Sequence, residues 1–544
     1  MISELSKAFN IKILKTEKMK KTNIILIIIL MVFAVSCEDF LEFEPYGQPS
    51  DLGNLTDEQA MNTAYALYDW QYREGTTGRG LFWYENASDD MITGRSQSEA
   101  ANIANFIDDG SATRDVRDNW PQMYQTINKS NSILRQVPAS ETISESVKDL
   151  VIGNAYFWRG FAYLWIAPWY GDNGPNGGIP IVTENTPIDS IDMPRPATVL
   201  DNYELIISDL EQAAEYLPYF HELPQDHWGM THKTAAWAFA ARAALYAARW
   251  DDSYYDKVIE FSDKVINSGN HALLNNYADV FKIEHNWSSE YLYSVTSNEN
   301  DGAKWPGISF QNGGFGYYNT WGYFQPTVEL YNAFEEGDHR RKTTIVAPGD
   351  TVDFIGNMIV WQINPASTSS PTHMTLGKYL DPFKGTDAIG TTVNPNGNNM
   401  TTDLNVSLIR YADVLLMKAE ALIWKNGDGD ASAVEILNDI RERAGLPRNS
   451  QGTKAQLKNE RRCELAFEFG AWRHLDLVRW GDAEEVYSQP LHGFQTNLSG
   501  EEITSLDVVE VWPARDFDPE ENHVFAIPAR EIATSQNLKQ NIGY

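Results

Sequence analysis

The stretch THKTAAWAFAARAALYAARW, residues 231–250, predicts a helix in which nearly every contact position is alanine. Small side chains at such positions allow neighbouring helices to pack closely. Residues 252–268 follow as the antiparallel partner of this helix, and residues 199–217 precede it as an amphipathic helix that ends before Pro218. This succession of helix pairs indicates tetratricopeptide-like packing, although no strict repeat is visible.

Further helices are predicted on both sides of this pair from the spacing of apolar residues. They cover residues 57–72, 120–137, 147–166 (ending at Pro168), Tyr411–Trp424, Ala431–Ala444 and Thr453–Phe469. Residues 285–400 are loop-like, with short strand signals at Tyr291–Val295 and near Ile359–Ile363, and the tail from Leu491 is predicted to be mostly irregular. The sequence therefore predicts a mostly α-helical protein with a loop-rich part and a few short β-strands.

Length and charge limit the classes of function. A chain of 544 residues is too long for one simple core, so two lobes or one large helical array are expected. The chain carries 75 acidic and 43 basic residues, a formal charge of −32. We expect no nucleic-acid partner, because contacts to phosphate need a basic face. A neutral sugar, a cation or a basic peptide is compatible with this charge, and solubility alone also explains it.

Residues 1–36 have the pattern of a secretory signal peptide. The positive cluster Lys18, Lys20 and Lys21 precedes an unbroken apolar run from Ile24 to Val35. This run is too short for a transmembrane helix, which needs about 20 residues. Translation from Met19 instead of Met1 would give a signal peptide of ordinary length.

The end of the signal, Ala34-Val35-Ser36-Cys37, resembles a bacterial lipobox with alanine in place of the usual leucine. The acidic pair Glu38-Asp39 resembles the surface-export signal of Bacteroidetes lipoproteins. These resemblances imply that Cys37 is lipidated and anchors the protein at the cell surface, in the outer membrane. The alternative is a plain cleaved signal in which Cys37 is incidental.

Catalytic and metal-binding motifs are not found in the sequence. The stretch Asn426–Asp430 resembles a calcium loop only at its start, because Ala433 and Asp439 stand where such a loop needs Gly and Glu. We therefore predict a turn between two helices there. Candidate carboxylate pairs for a glycosidase are too numerous to single one out. The residues themselves thus indicate no catalytic site, no metal and no cofactor.

Five segments in order are GNAYFWRGFAYLWIAPWYGDNGPNGGIPIV (153–182), THKTAAWAFAARAALYAARW (231–250), SLIRYADVLLMKAEALIW (407–424), NERRCELAFEFGAWRHLDLVRWG (459–481) and IPAREIATSQNLKQNIGY (527–544). Together they resemble the SusD/RagB family of Bacteroidetes nutrient-uptake lipoproteins. The resemblance implies tetratricopeptide-like helix pairs as a scaffold, a loop-rich ligand-binding lobe, and a SusC-like TonB-dependent barrel as partner. It divides the chain into a lipoprotein signal peptide (1–36), a SusD-like N-terminal helical region (37–270), a loop-rich ligand-binding region (271–404) and a RagB/SusD C-terminal region (405–544).

The fourth segment predicts structure and not a ligand site. Arg461, Arg462, Glu464 and Glu468 are three or four residues apart along a predicted helix, so they can pair locally or cap neighbours. Their apolar neighbours are predicted to lie in the core: Cys463, Leu465, Phe469 and Trp472.

The stretch AKWPGISFQNGGFGYYNTWGYFQ, residues 303–325, has a high density of aromatic residues among Gly and Asn. Exposed rigid rings suit binding, since they offer a large contact area with few rotatable bonds. The family resemblance implies that the loop before the helix at Pro326–Phe334 stacks rings on the ligand, a place that Trp321 occupies here. Further candidates are Trp305, Tyr317 and Tyr318. The alternative is that most of these rings pack the loop onto the scaffold.

The stretch LFWYENASDDMITGRSQ, residues 81–97, is a second candidate. The resemblance implies that residues after its Ser-Asp-Asp turn approach the ligand, which gives Asp90, Thr93 and Arg95 as polar candidates. The alternative is that pairing between Asp and Arg orders the loop. The aromatic residue that some relatives carry after Asp90 is absent, which leaves room for a ligand other than starch.

Four functions fit these observations. The first is a lipoprotein that captures an oligo- or polysaccharide and delivers it to the SusC-like transporter. The second is a peptide-binding RagB-type lipoprotein on the same scaffold. The third is a surface glycosidase, and the fourth is a tetratricopeptide-type interaction scaffold. The resemblance favours binding over catalysis, so we predict that the protein is not an enzyme.

Overall fold

The predicted helical stretches form helices in the computed structural model, which describes residues 55–73, 76, 84–94, 98–111, 118–187, 192–297, 325–354, 357–361, 371–378, 403–470, 472–500 and 502–544. The helices are α1 (Asp57–Tyr65), α2 (Ser98–Ala104), α3 (Asn119–Gln136), α4 (Glu145–Tyr170), α5 (Val199–Tyr216), α6 (Lys233–Ala247), α7 (Tyr254–Asn267), α8 (Val328–Tyr331), α9 (Arg340–Thr344), α10 (Tyr411–Asn426), α11 (Ala431–Arg443), α12 (Lys454–Leu465), α13 (Arg473–Trp480), α14 (Ala483–Tyr487) and α15 (Ala529–Thr534). The predicted mostly α-helical fold is confirmed.

Strands are few, as predicted, and all are short except the last two. They are β1 (Met91–Ile92), β2 (Tyr291–Val295), β3 (Gln325–Pro326), β4 (Ile345–Val346), β5 (Thr351–Phe354), β6 (Asn357–Val360), β7 (Thr375–Leu376), β8 (Val406–Arg410), β9 (Leu491–Ser499) and β10 (Glu502–Trp512). In the described residues they form five antiparallel two-stranded sheets: β1–β3, β2–β8, β4–β7, β5–β6 and β9–β10.

The core is a series of helices in which successive members pack side by side, from α3 on α4 through α5 and α6 to α7 and then α10. Nearly all of α4 from Val151 to Tyr170 is buried. Gly160 lets α5 approach closely, because a Cβ there would lie 3.1 Å from Leu210 Cγ. The alanines of α6 are buried as well. The small residues of the sequence thus set the spacing of the helices.

Local sequence signals explain where helices begin. Thr198 and Asp201 form a capping box at the start of α5, and Thr453 and Gln456 form another at the start of α12. Asp430 caps α11 by accepting hydrogen bonds from the backbone N–H groups of Ser432 and Ala433, both at 3.0 Å. Asn426–Asp430 is therefore the predicted turn between two helices.

One predicted helix changes its type, and two predicted boundaries are wrong. The 57–72 helix tightens into a 3-10 helix over Ala66–Tyr72. Helix α4 continues through Pro168 to Tyr170, since the N–H of Gly171 still bonds the carbonyl of Ala167 at 2.8 Å. Helix α12 stops at Leu465, because Ala466 is extended and Phe467 adopts a left-handed conformation with φ 62°. Glu468 consequently leaves the helix axis and turns toward other elements.

The prediction of a mostly irregular tail is also wrong. Residues from Leu491 onward form the β9–β10 hairpin, whose tight connection contains Gly500 at φ +66°, and then the short helix α15. The strand-forming residues of β10, with Ile503, Val508, Val509 and Val511, carried this signal in the sequence. None of the described helices is both long and apolar enough to cross a membrane.

Candidate functional site

Residues 84–94 lie within the second predicted ligand segment, and buried ion pairs hold them against α12 and α13. The Asp89 carboxylate accepts hydrogen bonds from Arg462 Nη2 at 2.7 Å and from Arg473 Nε at 2.9 Å. Asp90 Oδ1 accepts a hydrogen bond from Arg462 Nε at 2.7 Å. Arg462 thus binds two consecutive aspartates, and these bonds fix the course of the chain just before β1.

Strand β1 pairs directly with the end of the aromatic stretch. Met91 is opposite Pro326 and Ile92 is opposite Gln325 in the β1–β3 ladder. Thr327 adds two bonds, from its N–H to the Asp90 carbonyl at 3.0 Å and from its hydroxyl to the Asp89 carbonyl at 2.7 Å. The two segments predicted from sequence to approach the ligand therefore meet.

The helix after the aromatic stretch starts later than the position of Pro326 suggests. Pro326 belongs to β3, and Thr327 caps α8 by accepting a hydrogen bond from the N–H of Leu330 at 3.3 Å. The aromatic stretch therefore returns to the scaffold at a strand and a helix cap, both of which are buried. The scaffold therefore holds the chain in place at this junction, which we call the buried base of the aromatic stretch.

The chain that leads to the aromatic stretch is anchored at Ser297. Ser297, two residues past β2, donates its backbone N–H to Asn405 Oδ1 at 3.0 Å. The backbone N–H of Asn405 in turn bonds Asn286 Oδ1 at 3.0 Å. Both anchors of residues 298–324 are thus built from described scaffold residues.

A small cleft of mixed polar and apolar lining lies beside this second anchor, with a cavity volume of about 30 Å³. Its floor includes the buried Glu290, Arg410 and Glu468, and its rim includes Asn286 and Asn405. Rings of Phe281 and Tyr291 complete the lining. Amide and carboxylate groups around so small a space suit an ordered water.

The pKa values of the three carboxyl groups in residues 84–94 are shifted differently by burial and by neighbouring charges. Burial alone would raise the pKa of Asp89, but Arg462 and Arg473 outweigh it and hold that pKa well below its ordinary value. Burial raises the pKa of Asp90, although Arg462 opposes the shift. Burial and the neighbouring Asp90 raise the pKa of Glu85 to about 8. A pKa of about 8 favours the protonated form of Glu85 at neutral pH.

Because folding favours the protonated form of Glu85, the contribution of this residue to stability is expected to fall as pH rises. The folded pKa of about 8 exceeds the ordinary 4.5, so the contribution of Glu85 is complete below pH 4.5 and is lost as pH rises to about 8. The slope should reach up to about 1.4 kcal/mol per pH unit. Denaturant unfolding across this range should show a flatter profile for Glu85→Gln. The exposed Glu145→Gln serves as control, and an unchanged slope in Glu85→Gln would assign the dependence to other carboxyls.

The structure places two of the predicted ligand residues. Asp90 is 1% exposed and Thr93 is 7% exposed. Among the described residues, the Asp90 carboxylate is bonded by the distant Arg462, and the predicted contact of Asp90 and Thr93 with a ligand stays a prediction. Residues outside the described part of the chain are Cys37, Arg95, Trp305, Tyr317, Tyr318 and Trp321, whose roles stay predictions.

Sequence reasoning missed the residues that anchor the two segments. Thr327 had a usable signal, since a threonine directly before a helical pattern is a common N-cap. Asn405 and Arg473 had none, because their partners lie far away in the chain. Arg462 was assigned to local pairing.

The prediction of local pairing in the fourth segment is wrong, although the segment is structural as predicted. Arg461 bonds Asp413 and Asp476, both at 2.7 Å, and Glu464 bonds Arg340, Arg410 and Arg443. Glu468 bonds Lys378 at 2.7 Å, because the chain has left the helix by then. The apolar residues Cys463, Leu465, Phe469 and Trp472 are buried, as predicted.

Metal binding finds no support in the described ranges, where no group of three or more His, Cys, Asp or Glu side chains is arranged to hold an ion.

Known proteins similar to this chain are consistent with the fold described above. A model of the SusD family matches residues 276–544, and a SusD-like model described as starch-binding associating with outer membrane matches residues 39–245. A SusD-like protein of Formosa agariphila is 26% identical over 521 residues, which cover 88% of this chain and 93% of that protein.

Two solved structures from Bacteroides fragilis share the fold. A SusD-like protein superposes with a TM-score of 0.74 at 23% identity, covering 90% of this chain and 97% of its own. A SusD-like carbohydrate binding protein superposes with a TM-score of 0.72 at 21% identity, covering 89% and 99%. The two family models, the relative and the shared fold lead to one conclusion: this chain belongs to the SusD/RagB family.

Proposed function

We propose that this protein is a lipid-anchored cell-surface protein of the outer membrane that binds an oligo- or polysaccharide and delivers it to a SusC-like TonB-dependent transporter. One observation carries the proposal. The β1–β3 ladder and the Thr327 bonds join the two segments that sequence reasoning assigned to the ligand. Two segments that we predict to contact the ligand, more than 200 residues apart in sequence, are thus joined on a buried base.

The chemistry of the joined segments favours a sugar. Flat aromatic rings match the apolar faces of pyranose rings, and Asn and Gln side chains can satisfy the hydroxyl groups. A family member from Bacteroides fragilis is named as carbohydrate binding, and the N-terminal family model is described as starch-binding. These names support a glycan ligand without identifying which one.

Affinity gels test this proposal. The protein should migrate more slowly in a native gel that contains its polysaccharide than in a gel without it, and a panel of neutral and acidic polysaccharides would find the glycan class. A mixed peptide pool, read out by calorimetry, tests the RagB-type alternative. Retardation by no polysaccharide together with peptide binding would overturn the glycan proposal.

A binding role also implies that the ligand leaves unchanged. Incubation with each retarding polysaccharide should produce no new reducing ends over hours. A steady rise in reducing ends would instead support the glycosidase alternative, and binding of neither glycan nor peptide would leave the interaction scaffold as the function.

Replacing Cys37 by serine is expected to release the protein from the membrane. Serine cannot be lipidated, and the described residues hold no membrane-crossing helix that would replace the anchor. Cell fractionation should find the variant in the soluble fraction and the wild-type chain with the outer membrane. Ser36→Ala, one residue away, is the control. A Cys37→Ser protein that stays on the cell surface would place the anchor elsewhere.

The transporter partner gives a separate prediction. Affinity purification of the tagged lipoprotein from outer membranes in mild detergent should recover a large β-barrel protein of the TonB-dependent class. The Cys37→Ser protein, added to the same extract, controls for association after lysis. Repeated purification without such a barrel would contradict the partnership.

A further inference from the structure

The second strand of the C-terminal hairpin has a free edge. Strand β10 pairs with β9 over Glu502–Trp512, and among the described residues no other strand pairs with it. The inner strand β9 is covered on its far side, where the N–H of Phe494 bonds the carbonyl of Thr372 at 3.0 Å. Most side chains of β10 are exposed on both faces. The outer backbone donors and acceptors of β10 therefore have no strand partner in the described part of the chain.

The same place concentrates exposed apolar side chains. Five of the nine exposed large apolar residues in the described chain belong to β6 or to the β9–β10 hairpin: Met358, Val360, Leu498, Leu506 and Val508. The two hairpins are neighbours, since Ile503 Cδ1 approaches Gly349 just before β5. A free strand edge flanked by exposed apolar side chains is a site at which another chain can add a strand, and β10 contains neither Lys nor Pro to prevent this. Its register shifts lie near its two ends, between Ile503 and Ser505 and between Glu510 and Trp512, and leave Leu506 to Val508 regular.

The charges on β10 determine which kind of added strand can pair with it favourably. Neither β9 nor β10 contains Lys or Arg, whereas β10 contains Glu502, Asp507 and Glu510, all exposed. Antiparallel pairing of two copies about the middle of β10 would bring acidic side chains of both copies together, and like charges there are destabilising. The formal charge of −32 opposes such self-association further. The edge therefore favours a basic partner over a second copy.

The alternation of β10 defines the pattern of that partner. Leu506 and Val508 lie on the same face as their partners Thr496 and Phe494, and Asp507 lies on the opposite face, where Asn497 Nδ2 donates to its carboxylate at 2.8 Å. We propose that the edge of β10 is a docking site for an extended segment of a partner protein that alternates apolar and basic residues. It would add as a third strand, with apolar side chains beside Leu506 and Val508 and basic ones beside Asp507.

Hydrogen exchange with designed peptides tests this docking site. The probes are two 11-residue peptides, the length of β10, one alternating Val and Lys and the other alternating Val and Glu. In an antiparallel ladder alternate amides of β10 point away from β9 and are open to solvent. The Val/Lys peptide should slow exchange at about half of the β10 amides by roughly tenfold or more, and the Val/Glu peptide should not.

Two variants complete the test. Asp507→Lys should weaken protection by the Val/Lys peptide and create protection by the Val/Glu peptide, because the substitution reverses the charge that faces the peptide. Ile542→Lys, an equally drastic change at a side chain that is 70% exposed elsewhere, should behave as wild type. Protection by neither peptide, equal protection by both, or protection that rises with protein concentration without peptide would overturn the proposal. Glycan retardation of Asp507→Lys should be normal, so failure of the glycan proposal would be seen separately.

Discussion

Replacing Trp321 by alanine is expected to weaken binding of the cognate glycan by about thirtyfold while leaving the melting temperature near that of the wild type. Truncating a central aromatic anchor typically costs about 2 kcal/mol or more of binding free energy, and about 1.4 kcal/mol corresponds to tenfold in affinity. The prediction rests on the position of Trp321 before the buried base formed by Gln325, Pro326 and Thr327. Calorimetry and thermal unfolding of the same preparation measure both quantities.

The control is Trp237→Ala, which truncates a half-buried tryptophan on α6. It should retain glycan affinity. A structural role for Trp321 would appear differently, since losing a buried tryptophan costs about 3–5 kcal/mol of stability. A large drop in melting temperature, or unchanged affinity, would therefore assign Trp321 to packing and leave Trp305 and Tyr318 as the next candidates for stacking.

Replacing Glu464 by glutamine is expected to destabilise the fold strongly. Glu464 is fully buried, and its carboxylate bonds Arg410 at 2.7 Å, Arg340 at 3.2 Å and Arg443. Burial alone would raise the pKa of Glu464, but these arginines outweigh it and hold the pKa well below its ordinary value. Removing one charge of a buried ion pair leaves the other uncompensated and typically costs about 3–5 kcal/mol.

Glu435→Gln is a matched control for Glu464→Gln, because it removes one charge from an exposed ion pair with Arg448. Surface pairs contribute little in general, so its melting temperature should stay that of the wild type. If Glu464→Gln melts at the wild-type temperature as well, the buried network is not a source of stability, and Glu290 and Glu468 carry enough compensating charge for the arginines.

Local patterns in the sequence predicted most of the helices. Apolar spacing placed α4, α5, α6 and α7 to within a few residues. A helix buries at least one face, and the spacing of its apolar residues shows which face is buried. Predicted helix boundaries were correct where a cap or a turn marks them, as at Asp430, which caps the start of α11. They failed at Pro168 and at Ala466, where packing of neighbouring elements decides whether the chain continues as a helix.

The sequence also determined the family, through five separated segments in order, and it indicated the two segments that the structure joins at β1 and β3. Their meeting could not be predicted by pattern. Met91 and Pro326 become neighbours only through the path of the whole chain, and no period in the sequence encodes a contact across that distance.

Tertiary structure alone decided the partners of the charged residues. With 43 basic and 75 acidic residues in the chain, charge type cannot identify which pairs form. Arg462 was within helical reach of local acidic residues, yet it bonds Asp89 and Asp90, 373 and 372 residues away. The physical reason is desolvation: a buried arginine must bond whichever carboxylates are buried with it, and the packing of α12 against residues 84–94 determines which ones those are.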